Sequence, residues 1–337
     1  MLCRTYMQAG LKRSDVLGIT GLSRHQLYHR SKGERVGRKP TISTPWLDAR
    51  TGQLIEVDNA VVVDRIRAYK ADPDHNHYYK SITIQLCMEG YWINHKKVYR
   101  LMKQALLLQK ARRTRGRKFV TFRRVCPLEP LRILEMDIKY YWIDGKKSYA
   151  YVLTIIDTFT RYVLAWCVGF EMRQSQVREL WQYVIATYLQ GLDLGQNGGI
   201  HIEVRNDNGK QFSAKMIQQF FAENYLGQVF THPYTPQENA HVESFHKTIG
   251  KAVKNEYFAT LLDLEMRLEM FYTTYNNSRS HGSIALLSPA YFWELFNQNQ
   301  IEVIPKGKRR LKFKLKIPYQ KVRQQPNIER YFYPIEG

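Results

Sequence analysis

The sequence predicts a mixed α/β domain built on a five-stranded sheet, preceded by all-α units and followed by a small basic tail that reads as β. Three observations carry this. From about Leu131 the hydrophobic period changes from that of helices to that of strands. Three consecutive strands are then followed by alternating helices and strands. Lysine and arginine outnumber aspartate and glutamate by 51 to 30, a net charge of +21, and they gather in runs outside that domain.

Length and composition set the bounds. A chain of 337 residues, 44% apolar, suffices for two or three domains and a sizeable core. No apolar run approaches the roughly 20 residues that span a bilayer. The N-terminal stretch lacks the apolar core of a secretory signal, so a cytoplasmic protein is expected. Cys3, Cys87, Cys126 and Cys167 are scattered, which argues against a disulfide framework or a cysteine zinc site. His75 and His77 have no second ligand pair after them and read as loop residues. A pI near 9.7 implies a polyanionic partner. Lys103–Arg124 holds nine basic residues and no acid, and Lys306–Arg323 nine more. Solvated charged surfaces normally mix the signs. One-signed runs usually meet phosphate; ribosome-type RNA contact or membrane attraction would also fit, but no amphipathic membrane helix stands out.

Residues 1–35 read as two short helices about a turn at Gly21, with Ser23 and Gln26 forming an S-x-x-Q capping box. The second helix would expose Arg24 and His25, as in a helix-turn-helix. Residues 36–56 contain Pro40, Pro45 and several turn formers and read as a linker. Residues 57–110 are helical again. Val61, Ile66 and Tyr69 share one side of a first helix, and "SITIQLCMEG" is a second, stopped at Gly90. Asn94 caps a third, with Val98, Leu101, Met102 and Ala105 as its apolar stripe. Its other face carries His95, Lys96, Lys97 and Arg100, which is either a solvated face or a major-groove reader. Residues 111–127 are a basic linker with Arg112, Arg113, Arg115, Arg117 and Lys118, which favours DNA.

Residues 128–300 form the α/β domain. "RILEMDIKYYWI" alternates, with Met136, Ile138 and Tyr140 on one side and Glu135, Asp137 and Lys139 on a polar side. "SYAYVLTIIDT" and "RYVLAWCVGF" continue an antiparallel meander. Helix, strand, helix, strand and a long helix follow. This β-β-β-α-β-α-β-α order is that of a ribonuclease H-like domain. In the tail, 301–337, Leu311, Phe313, Leu315 and Ile317 alternate with Lys312, Lys314 and Lys316. Either a small β-module against the DNA backbone or an arm ordered only by DNA fits that pattern.

Three carboxylates stand out by position. Asp137 lies mid-strand on a polar face, and Asp207 ends the fourth strand, where sites of open α/β sheets form. Turn chemistry alone would account for Asp207. It stands at an Asn-Gly corner, where aspartate and asparagine tolerate left-handed backbone and glycine adopts it freely. Glu243 borders the Val242, Phe245, Ile249, Val253 core stripe of the long helix. Surface exposure is the default for acids. Gathered together, the three repel one another unless a hard cation neutralises them, which suits magnesium or manganese. Two such ions, about 3.5–4 Å apart, clamp the attacking and leaving oxygens of a phosphodiester.

"LEMDIKYYWIDG", "NDNGKQF" and "PYTPQENAHVESFHKT" resemble the three signature segments of retroviral-integrase-type DDE recombinases, and 35 residues separate Asp207 from Glu243 as is typical there. "YNNSRSHGSIALLSPAYFWE" resembles the segment that closes the core of insertion-sequence transposases, and "NHKKVYRLMKQALL" their upstream DNA-binding helix. The nearest likeness is to the bacterial group commonly encoded in two overlapping frames. The resemblance implies a DNA transposase with two Mg2+ or Mn2+ ions per active site, held by Asp137, Asp207 and Glu243. Water attacks at the element end, and the freed 3′-hydroxyl attacks a second phosphodiester. It further implies matched roles for Asn208, Gly209 and Gln211, DNA or carboxylate orientation by Asn239, and phosphate contact by Lys247. The implied partners are terminal-repeat and target DNA, further copies of the chain, and an upstream-frame protein, at a bacterial nucleoid. Many relatives carry a basic residue seven positions after the glutamate. Here Gly250 stands there, with Lys251 next. "HPYTPQENA" is closer to the retroviral form.

Asp157, which ends the second strand, reads as a turn cap or an arginine partner. His232, His241 and His246 read as ordinary helix and loop residues. Two alternatives keep part of this reading. A metal-dependent nuclease or resolvase would cut without joining, but the helix-turn-helix units favour recognition of DNA ends. A non-catalytic DNA-binding regulator would have no reason to keep all three acids.

Overall fold

Local capping and periodicity set most element boundaries. The computed structural model describes residues 2–28, 40–48, 50–109, 125–195, 199–232, 235–306, 310–322 and 326, in two compact units divided at residue 42. The first unit holds helices α1 (Leu2–Gln8), α2 (Arg13–Thr20) and α3 (Arg24–Tyr28). Its capping box forms as the sequence indicates. The Ser23 N–H donates to Gln26 Oε1 at 2.8 Å and the Gln26 N–H to Ser23 Oγ at 3.2 Å.

The second unit opens where a linker was expected. Strands β1 (Ser43–Leu47) and β2 (Leu54–Asp58) pair as an antiparallel hairpin. The turn formers between them make the hairpin bend. Pro45 is tolerated because a two-stranded sheet has only edge strands. Trp46 packs into the helical core beside it, and its indole N–H donates to the Glu89 carbonyl at 2.8 Å. Helices α4 (Asn59–Ala71), α5 (Tyr79–Met88) and α6 (His95–Gln104) follow. Asp58 caps α4 and Asn94 caps α6. The buried face of α4 is Val62 and Ile66 with Tyr69, while Val61 is exposed. Val62 rather than Val61 keeps the four- and three-residue spacing with Ile66 and Tyr69. His75 and His77 bond to the side chain and carbonyl of Asp72 in the loop after α4.

The α/β domain is a five-stranded sheet in the order β5-β4-β3-β6-β7. Its strands are β3 (Ile133–Ile143), β4 (Ser148–Asp157), β5 (Val163–Gly169), β6 (Ile202–Asn206) and β7 (Leu226–Phe230). The first three pair antiparallel, and β6 and β7 add in parallel beside β3. This is the ribonuclease H-like arrangement. One face packs on α7 (Gln174–Val184) and α9 (Lys215–Glu223) around Trp181, Met136 and Val204. The other packs on α10 (Ala240–Ala252) and α11 (Leu261–Asn277) around Phe245, Val152 and Phe271. A short α8 (Lys210–Ser213) follows β6.

After the α/β domain come α12 (Pro289–Asn297) and a hairpin of β8 (Ile301–Pro305) and β9 (Leu311–Leu315). The alternation read in the tail holds over β9. Lys312 and Lys314 are exposed, and the apolar side packs on Phe159 and Phe292. Among the described residues no helix is long and apolar enough to cross a membrane.

Phe159 links the sheet to this hairpin, with its ring centroid 4.9 Å from that of Phe296 and 5.2 Å from that of Phe313. Phe159→Ala is expected to cost about 3–5 kcal/mol. Hydrogen exchange should show Leu311–Leu315 losing protection before the central strand.

Candidate active site

Helix α10 lies along the polar side of β3, and their contacts keep step. Alternate strand residues are roughly 6.6 Å apart, and four or five helix residues rise about 6–7.5 Å, so the two periods nearly match. Glu135 is fully buried. It accepts from the N–H groups of His241 at 2.8 Å and Val242 at 2.9 Å, and meets His241 Nδ1 at 2.7 Å. One step on, Asp137 Oδ2 stands 3.3 Å from Nδ1 of the buried His246. One step further, Cε and Nζ of Lys139 lie 3.4 Å from where a Cβ at Gly250 would be. The Asn239 amide adds a bond to the Met136 carbonyl at 3.1 Å.

Asn239, Glu243, His246 and Gly250 recur at steps of four, three and four, which puts them on one helix face. That face meets β3 where Asp137 stands. Glu243 is partly exposed and pairs with Lys247 Nζ at 3.2 Å.

Asp207 arrives from the neighbouring strand. The parallel register pairs Leu134 with Val204 and Glu135 with Arg205. Counted two residues on, Asp137 is level with Asp207. Strand β6 has ended by then, and its last residue pairs with Phe230 of β7. Asp207 therefore lies just past the carboxyl end of its strand, where sites of open α/β sheets form. Burial raises the Asp207 carboxyl above the usual range, the Gly209 N–H at 3.0 Å opposes this, and the charge of Asp137 adds to the rise.

The Asn-Gly corner works differently from the expected left-handed turn. Gly209 has an ordinary φ of −58° and begins α8. A Cβ there would press on the Gln211 amide and stand 3.0 Å from Asp207 Oδ1. Crowding around the carboxylate, not backbone handedness, calls for glycine.

The Asp207 carboxyl is thus raised by burial first and by the charge of Asp137 on the adjacent strand, and Glu243 stands on the helix face that meets β3. Among the described residues no three His, Cys, Asp or Glu stand close enough to hold a metal as they are. His246 lies against Asp137, and Lys247 holds Glu243.

Two family models described as "Integrase core domain" match residues 127–236 and 226–289. Among curated relatives, a protein of insertion element IS407 from Burkholderia multivorans is 25% identical over 60% of this chain and 70% of its own length. The transposase of insertion sequence IS904 from Lactococcus lactis is 26% identical over 45% and 57%. Residues 127–289 thus match the integrase core domain, and proteins of insertion elements are among the relatives. Across the insertion-element relatives the similarity spans from 55% to 70% of their length. Solved structures it is similar to include a simian T-cell lymphotropic virus intasome, with 16% identity, TM-score 0.40, and 64% of this chain and 72% of that chain covered. The Mos1 transposase catalytic domain is another, with 12% identity, TM-score 0.37, and 42% and 71% covered.

Around the integrase core the expected DNA-facing residues divide. Arg24, His25, His95 and Lys96 are exposed, as are Lys247 and Lys251. Arg100 is half-buried, and Lys97 turns back to donate to the Ser43 carbonyl of the hairpin. Arg112, Arg113, Arg115, Arg117 and Lys118 lie outside the described residues. Asn239 is buried and ties helix to strand. Asp157 is a turn cap. Its carboxylate accepts from the Leu131 N–H at 3.1 Å, and from the Thr160 N–H at 2.8 Å and hydroxyl at 2.6 Å. Beside the start of α10 lies a cavity of about 850 Å³, lined by Arg161, His241, Lys306, Arg310, Lys312 and Lys314 and by no acid.

Sequence reasoning missed Glu135 and Lys139 and took His246 for an ordinary helix residue. A signal did exist for Glu135. Helix α10 has no side-chain cap bond of its own at Asn239, so its first N–H groups need a distant acceptor. Glu135→Gln should lower stability by about 1.5–3 kcal/mol, because it removes charge from bonds at a helix N-terminus. A shift of the urea midpoint with unchanged m-value would measure it.

Proposed function

We propose that the chain is a metal-dependent DNA transposase that cuts strands at the ends of a mobile element and joins them to target DNA. What supports this reading is the register that sets Asp137 level with Asp207 on adjacent parallel strands, with Glu243 on the same face of α10 as His246, which meets Asp137. The donor set suits hard divalent cations, since it is all carboxylate oxygen and the charge of Asp137 adds to the cost of ionising the part-buried Asp207. Asp137, Asp207 and Glu243 would hold two Mg2+ or Mn2+ ions. When bound, such ions lower the pKa of an attacking hydroxyl and neutralise charge on the reacting phosphate. Lys247 would release Glu243 and turn to DNA phosphate. Asn239 and Glu135 keep the helix seated while this happens.

The rest of the chain supplies affinity. The exposed faces of α3 and α6 would read the element ends. The basic segment 111–127, the outward lysines of β9 and the acid-free cavity beside α10 would follow the phosphate backbone. Several copies would act together, since two DNA ends have to be joined and each core offers one set of acids. Copies that each carry +21 repel until DNA neutralises them.

Asp137→Asn, Asp207→Asn and Glu243→Gln are each expected to abolish magnesium-dependent cleavage while DNA binding stays within about twofold. Sequencing gels with labelled element-end duplexes would check this, and retained cleavage in any one variant would remove that residue from the set. The same gels separate transposase from nuclease, because only a transposase gives joined products. Light scattering should show a largely monomeric free chain that becomes a dimer or larger on paired end-DNA. A single copy per DNA pair would contradict joint action.

A further inference from the structure

One cation at the proposed active face has no assigned task. Lys139 leaves β3 on the same side as Glu135 and Asp137 and is half-buried. Its ammonium lies 5.7 Å from the Tyr141 ring centroid. Asp137 is the acid whose charge reaches it, yet among the described residues the two form no ion pair. A partly buried cation without an anionic partner loses hydration and gains little in return. An incoming anion would make up that loss.

The helix opposite makes room for it. Gly250 is inside α10, where glycine costs about 1 kcal/mol relative to alanine. Alanine would fit, since its Cβ would reach Lys139 at 3.4 Å, an ordinary contact. Any longer side chain would take the space in which the lysine lies. Position 250 shares the helix face of Glu243 and His246, so a cation crossing it stands beside the acids. Lys247 is less suited to the task. It is spent on Glu243, and its side chain is 73% exposed.

Building on the catalytic reading of this face, we propose that Lys139 binds the DNA phosphate next to the one being cut, reaching it across the bare helix surface at Gly250. Phosphate approaching Asp137, Asp207 and Glu243 meets three like charges. A lysine within reach of Asp137 offsets part of that repulsion. The strand thereby supplies a charge that the helix lacks at this position.

Lys139→Met keeps the length of the stem and removes the charge. The full chain would be titrated onto a random DNA duplex in EDTA at several salt concentrations, followed by anisotropy. Lys139→Met should flatten the slope of log K against log salt by about 0.9, the loss of one phosphate contact. With manganese and supercoiled plasmid, its nicking kcat/KM should fall by roughly tenfold to a hundredfold. Gly250→Lys combined with Lys139→Ala, which clears the space the stem filled, returns an ammonium to the same place from the helix side. It should recover most of the salt slope and the nicking. An unchanged slope in Lys139→Met overturns the proposal. So does a loss that Gly250→Lys fails to recover while Gly250→Lys alone remains active, because the lysine would then act through packing. If the unaltered chain binds DNA but nicks with neither metal, the catalytic reading fails, and the salt slopes still decide whether Lys139 touches phosphate.

Discussion

Glu135 is a fully buried carboxylate set against the first N–H groups of α10, and the site depends on that contact. A charge removed from water costs several kcal/mol unless it is bonded on all sides. Here two backbone N–H groups and the His241 imidazole bond it, and the positive end of the helix dipole surrounds it. Neighbouring Leu134 and Met136 point into the opposite core and are themselves fully buried. The strand is thus anchored on one side by apolar packing and on the other by an ionic bond to the helix. Sliding the helix by one residue would strand a buried charge. That fixes how far Glu243, His246 and Gly250 stand from Asp137.

Charge along α10 follows the same polarity. Glu135 and Glu243 sit toward its start, Lys247 and Lys251 toward its end. The helix dipole favours both placements. The acids therefore gather where the helix begins and the exposed lysines where it leaves the sheet. A phosphodiester laid over the strand ends would meet carboxylates at its centre and ammonium groups on its flank.

Strand order and sheet position were legible in the sequence because alternation and helical period are separate signals, and here each ran long enough to read. Asp137, Asp207 and Glu243 were legible as candidates from their positions on a polar strand face, at a strand end and at a helix edge, and from the resemblance. Glu135 and Lys139 were not. Alternation shows which side of a strand is polar, but not whether that side faces water or a helix, and here α10 covers it. The hairpin of Ser43–Leu47 and Leu54–Asp58 was hidden for a related reason. Proline and turn formers mark a bend equally well in a linker and between two short strands. Gly209 looked like a backbone requirement because sequence does not reveal that its neighbour's carboxylate folds back over it.

The matched steps of β3 and α10 act as a ruler whose two scales differ. Each helix residue turns the face by about 100°, so one residue inserted between His241 and Gly250 would carry every later contact off the strand. The stretch from Asp207 to Asn239 obeys no such rule. Both its ends are tied to β3, one through the register with β6 and the other through Asn239 and Glu135. Extra residues in the surface turn between α9 and β7 would leave both anchors where they are, at a small loop-closure cost. The interval between the second and third acids is thus free to drift in length, while the few residues around the third are held to a fixed count.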